Sequence, residues 1–110
     1  MEKRDCELLT SFTSRIDQIP FESLEEDTFA TTFVRFGVAS VLIDLAAITQ
    51  ALSDEAVHAL PDVPWKSVVA MRNVLAHQPE GVDYAKVWAA VEDLPRVQKL
   101  IATFIQEECP

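Results

Sequence analysis

The stretch FATTFVRFGVASVLIDLAAITQAL, residues 29–52, decides the fold. Phe29, Phe33, Phe36, Ser40, Ile43 and Ala47 recur at alternating spacings of four and three, which draws one stripe along a helix. Val34, Val38, Val41, Leu45 and Ile48 draw a second line beside it. The pattern predicts a helix that starts near Ser23 or Asp27 and continues to about Leu52. A helix apolar on two sides must bury both, and a chain of 110 residues builds a single core. One side is expected to face its own bundle and the other a second copy of the chain. The phenylalanine stripe reads as core rather than as a cofactor box.

The flanking segments are helical too. From Lys3 to about Asp17, Leu8, Leu9, Phe12 and Ile16 lie at helical spacing, and Ile19-Pro20 ends the run. Ser53-Asp54-Glu55 caps a short helix through about Leu60, stopped by Pro61 and Pro64. Asp62 or Val63 opens the next helix, with Pro64 in its first turn, and it runs to about Gln78. Trp65, Val68, Val69, Arg72 and Leu75/Ala76 mark one side of it. The turn Pro79-Glu80-Gly81 follows, and Asp83 caps a helix carrying Val87, Trp88 and Val91. Asp93-Leu94-Pro95 predicts a break or kink, beyond which Val97, Leu100, Ile101, Phe104 and Ile105 face the core. Two glycines, Gly37 and Gly81, leave little scope for hairpins, and no strand alternation is present. The expected fold is all-α, an antiparallel four- to five-helix bundle, homodimeric, in a single domain over residues 1–110.

Charge narrows the function. The net charge of −9 argues against a protein that binds nucleic acid through a broad basic face. Residues 1–62 hold twelve acids against four bases, whereas residues 63–99 hold five bases (Lys66, Arg72, Lys86, Arg96, Lys99) against four acids. The second segment is close to neutral and permits a local anion site. No apolar run approaches the roughly 18 residues of a membrane span, and Val41-Leu42-Ile43 is closed by Asp44, so no membrane span is expected. The N-terminus leads straight into an amphipathic pattern without a signal-peptide core, which points to the cytoplasm. Cys6 and Cys109 are expected to be free thiols there. Neither has a Cys or His at ligand spacing, so no metal and no cofactor are expected.

Met71-Arg72-Asn73-Val74-Leu75-Ala76-His77 holds the chemistry. It joins a permanent cation, an amide and a group that titrates near neutral pH. Arg72 suits a phosphate and His77 suits proton transfer. Asn73 and His77, at i and i+4, share a helix face. Arg72 is rotated away, though it is long enough to curl toward the same region. The structural alternative pairs Arg72 with a core carboxylate and lets His77 cap the helix C-terminus. His58 reads as a structural histidine, and Trp65 and Trp88 as packing anchors rather than base-stacking platforms.

Arg72-Asn73-Val74-Leu75-Ala76-His77 resembles the R-N-x-x-x-H signature of HEPN domains. Pro64-Trp65-Lys66 and Met71 before it, and Val82-Asp83, Val87-Trp88 and Asp93-Leu94-Pro95 after it, resemble the HepT-like branch. Before residue 63 the resemblance extends only to helical pattern and length, with Arg35 the one polar position that aligns. The resemblance implies a toxin-type, metal-independent endoribonuclease acting on RNA, with Arg72, Asn73 and His77 at a composite site on a two-fold interface. It also implies a nucleotidyltransferase-like antitoxin as partner. One position departs from the family: Pro79 stands where a tyrosine modified by the antitoxin is often found, and Tyr84 is not its equivalent. The competing expectation is a non-catalytic helical module that partners a nucleotidyltransferase subunit; the acidic charge and Pro79 favour it.

Overall fold

Helix α1 (Lys3–Ile16) lays down the floor of the core, with Leu9, Phe12 and Ile16 fully buried along one face. A computed structural model describes residues 1–29, 31–77 and 83–110, without the side chains of residues 32, 33, 76 and 77. After α1 come α2 (Glu26–Phe29), α3 (Thr32–Ala51), α4 (Asp54–Ala59), α5 (Trp65–His77) and α6 (Tyr84–Glu108). No strand occurs among the described residues. Arg15 lies 3.7 Å from Asp44 while Asp5 bonds Ser53, so α1 and α3 run antiparallel. Gln98 donates to the Thr13 carbonyl at 3.0 Å and Cys6 is joined to Cys109, so α1 and α6 are antiparallel as well. The bundle is all-α and antiparallel, as the apolar periodicity predicts, with one helix more than expected.

The additional helix comes from a break. The segment expected to be one helix is divided at Thr31, whose backbone is extended at φ −72° and ψ 141°. The Thr31 hydroxyl donates to the Thr28 carbonyl at 2.9 Å. Threonines that bond nearby backbone offer the chain an alternative to the helical ladder, and here that alternative wins. The opposite occurs at Pro95, where a break or kink is expected and α6 continues through without a break. Leu94 and Val97 are buried on either side of Pro95, so packing offsets the missing N–H. Arg96 also forks onto Asp93 across it, with nitrogen–oxygen distances of 2.7 and 2.9 Å. That hydrogen bond holds the Asp93 carboxyl below its usual range against the opposing effect of burial. The predicted turn at 79–81 lies outside the described residues, as does Gln78.

The predicted caps are present. Asp83 accepts from the backbone N–H of Ala85 at 3.1 Å and of Lys86 at 3.4 Å. The Ser53 hydroxyl oxygen accepts from the Ala56 N–H at 3.2 Å and donates to Asp5 at 2.6 Å. Asp5, only 3% exposed, also accepts from the Ser53 N–H at 3.1 Å. A buried carboxylate on α1 thus holds the start of α4. Trp65 anchors the start of α5: its indole N–H donates to the Leu60 carbonyl at 3.0 Å and its ring meets Phe12 edge-on at 5.5 Å.

Helix α3 divides its apolar surface as the two stripes imply. Val38, Leu42, Leu45 and Ala46 are buried. On the other side Phe36 is 62% exposed, and Ser40 and Ala47 are exposed with it. The reading of the phenylalanine stripe as core therefore holds for Phe29, which packs on Trp88 at 5.2 Å, and fails for Phe36. The structure is 19 Å through its shortest dimension, and among the described residues no element covers that side of α3. Although its unbroken apolar runs are short, the window Val34–Ala51 is by length and composition alone apolar enough to cross a membrane.

A second correction concerns the cysteines. Cys6 and Cys109 form a disulfide, with Cα atoms 5.9 Å apart. The antiparallel packing of α1 on α6 brings residues 103 apart in sequence side by side. Closing so long a loop restricts the unfolded chain by roughly 2–5 kcal/mol. Dithiothreitol should therefore lower the melting temperature by about 10 °C or more for a domain of this size, and an equal melting curve in the Cys6→Ser variant with and without reductant would confirm the source. Asp5→Ala should cost about 1–3 kcal/mol, because it strands the Ser53 donors. Urea unfolding measures it, and an unchanged midpoint would show that water replaces the carboxylate.

Candidate active site on α5

Helix α5 is amphipathic in an uneven way. Trp65 is buried, and Val68, Val69, Met71, Arg72 and Leu75 are half-buried, while Lys66, Ala70, Asn73 and Val74 are exposed. Of the motif, Asn73 and Val74, the latter 38% exposed, are presented on the outer side of the helix, and Arg72 is half-buried.

The Arg72 stem lies against the bundle and its head reaches α3. Nη1 donates to Oε1 of Gln50 at 3.0 Å. Among the described residues no carboxylate lies within ion-pair distance of Arg72. The alternative of a core ion pair thus finds no partner there. A neutral acceptor orients a guanidinium without cancelling its charge, and the remaining donors of the fork stay available to an anion. Nothing in the residue pattern singles out Gln50, which like Thr49 is a polar side chain in the last turn of an apolar helix.

Asn73 borders a shallow hollow of about 390 Å³ between α3, α4 and α5. Thr49, Val57, Trp65, Lys66 and Val69 complete much of its wall, so one amide and one ammonium stand over an apolar floor. His77 is the last residue of α5, one helical turn beyond Asn73. Its side chain lies outside the described residues, and so does Pro79. Arg72 and Asn73 occupy adjacent positions on the same helix.

The other polar positions fall elsewhere. Arg35 lies over the Tyr84 ring, 4.3 Å from its centroid, and Tyr84 itself packs near Phe29. That is a cation–π contact between α3 and α6, away from Gln50. His58 is exposed on α4. Trp88 packs on Phe29 and Trp65 on Phe12, which agrees with their reading as anchors. A larger groove of about 540 Å³ lies on the far side of α5, where Val68 and Met71 face Ala89, Ala90 and Leu94 of α6. It holds Lys86 and Asp93 but neither Arg72 nor Asn73. No group of three metal-ligating side chains occurs among the described residues.

The chain is similar to known proteins over most of its length. "Putative RNase MJ1380" of Methanocaldococcus jannaschii is 31% identical over 104 residues, which is 90% of this chain and 95% of that protein. "Putative RNase TTE0752" of Caldanaerobacter subterraneus subsp. tengcongensis is 29% identical over 106 residues, 96% of this chain and 88% of that protein. No solved structure matches. The family model of HepT-like ribonucleases matches residues 3–104, so the α1–α6 bundle carrying Arg72, Asn73 and His77 belongs to the HepT-like ribonuclease family.

Proposed function

We propose that this chain is a metal-independent endoribonuclease of the toxin type, working as a two-fold dimer and neutralised by a nucleotidyltransferase-like antitoxin. The observation that supports it most is the Arg72 head, held by a neutral amide on the outer side of a family-defining helix. Arg72 would bind the scissile phosphate and stabilise charge that builds on it in the transition state. A base removes the proton of the 2′-hydroxyl, its oxygen attacks the adjacent phosphorus, and the bond to the 5′-oxygen breaks as an acid protonates the leaving oxygen. That requires two proton-transfer groups. One chain offers one suitable histidine in the motif, His77, and a two-fold interface supplies the second. Asn73, one turn before His77, would orient the imidazole.

The uncovered side of α3 supports the dimer. Phe36, Ile43 and Ala47 form its apolar strip, and Gln50, which holds Arg72, is three residues beyond Ala47 on the same helix. Pairing through this strip would bring the Arg72 heads of two chains toward a shared cleft. Light scattering should give twice the chain mass at micromolar concentration, and Phe36→Asp should return the monomer. A parent protein that stays monomeric rules out the composite site.

Activity is tested on purified protein and total RNA. Cleavage should persist in EDTA and disappear in both Arg72→Ala and His77→Ala. The melting temperature should hold nearly constant in both, since a substitution outside packed features shifts stability by within about 0.5 kcal/mol. Arg72 in a structural ion pair would instead cost about 3–5 kcal/mol on removal. A well-folded parent that binds a nucleotidyltransferase but leaves RNA intact would make the chain a binding module, the reading that Pro79 and the acidic charge favour.

A further inference from the structure

Gln50 belongs to no motif, yet among the described residues it is the one side chain that hydrogen-bonds Arg72. Arginine can only donate, so the contact fixes which end of the amide faces it: Oε1 accepts from Nη1, at 3.0 Å, and the amide NH₂ is left over. We propose that Gln50 is a positioning residue for Arg72, setting the guanidinium in advance at the edge of α3 for a phosphodiester. This rests on the reading of Arg72 as the phosphate-holding group.

Three features carry the inference. First, both residues are on rigid elements: Gln50 in the last turn of α3 and Arg72 in the middle of α5. A long, flexible side chain tethered between two helices has less freedom to lose when the substrate arrives. Second, the tether is neutral. A carboxylate at the same place would pair with the guanidinium and compete with the phosphate, whereas an amide spends one of five donors and leaves the charge intact. Third, Gln50 stands at the C-terminal end of α3, whose partial negative charge draws a cation to that end without a formal ion pair. Gln50 is itself exposed, so nothing in the core depends on it.

The test uses the full-length protein with an RNA oligonucleotide and Gln50→Ala, Gln50→Glu and Gln50→Asn. Gln50→Ala should lower kcat by about tenfold, the loss of one well-placed contact in the transition state, with KM within about twofold and an unchanged melting temperature. Gln50→Glu should lower kcat further while the melting temperature stays level or rises, because the new ion pair steadies the fold as it occupies Arg72. Gln50→Asn, one methylene shorter, should recover little. A merely structural Gln50 would make activity follow stability in all three. An independent readout is given by the Arg72 Nη–H resonances in nitrogen-15 spectra, which should exchange faster with water in Gln50→Ala. An unchanged resonance, or cleavage at the parental rate, overturns the proposal. If the parent cleaves no RNA the proposal falls with the reading beneath it; a resonance that still responds to Gln50→Ala then shows that the tether exists and the assigned reaction was the error.

Discussion

Helix α3 has apolar side chains on nearly opposite sides, and the rest of the chain can cover only one of them. Val38, Leu42 and Leu45 meet α1, α5 and α6 in the core, whereas Phe36 keeps 62% of its surface in contact with solvent. Adding a third layer within one chain would need a helix that 110 residues do not supply. Burying a phenylalanine side chain is worth roughly 1.5–3 kcal/mol relative to leaving it exposed, so the uncovered strip is a standing driving force for association. The same helix ends next to Arg72, through Gln50. Core, exposed strip and candidate site are therefore three aspects of one element, and the geometry of α3 decides where the other two can lie.

An acidic chain is an unpromising host for RNA unless attraction is concentrated at a point. The net charge of −9 repels a polyanion over distances up to the screening length, about 8 Å at physiological ionic strength. Within that distance a fixed guanidinium dominates, and the neighbour that holds Arg72 is a neutral amide that does not offset its charge. Asp93 and Arg96 show the contrasting arrangement, in which a carboxylate forks onto the guanidinium and lowers its own pKa in doing so. Such an arginine has little left to offer an anion. The difference between a structural arginine and one available for chemistry is written in the charge of the neighbour.

Much of this was legible in the residue pattern, for reasons that are local. Ser53 and Asp83 cap helices because their short oxygens reach N–H groups two or three residues on, and that needs no tertiary context. The burial of Leu9, Phe12 and Ile16 follows from their spacing. Where the pattern misled, tertiary packing or a pairing of distant groups decided. Thr28 and Thr31 interrupt a run whose hydrophobicity is continuous. Pro95 stays helical because its neighbours are buried. Cys6 and Cys109 meet only because α1 and α6 are antiparallel, and Asp5 finds Ser53 for a similar reason. Of the site, Arg72, Asn73 and His77 were visible as a motif, and Gln50 was not, since its only distinction is a contact across 22 positions.

Along α5 the tasks of folding and chemistry are separated by position. Its first turn is fixed by Trp65, which is buried, bonded to the Leu60 carbonyl and packed against Phe12. Its second half carries Arg72, Asn73 and Val74 at the half-buried or exposed side, followed by His77 at the end of the helix. Truncating Trp65 would open a cavity in the core, at about 3–5 kcal/mol, and lose the whole domain with it. Changing Asn73 removes an exposed amide and leaves the packing alone. A helix anchored at one end by an aromatic wedge and bearing its polar motif at the other can vary its chemistry without giving up its fold. That division is what lets substitutions at Arg72, His77 and Gln50 test the proposed chemistry apart from unfolding.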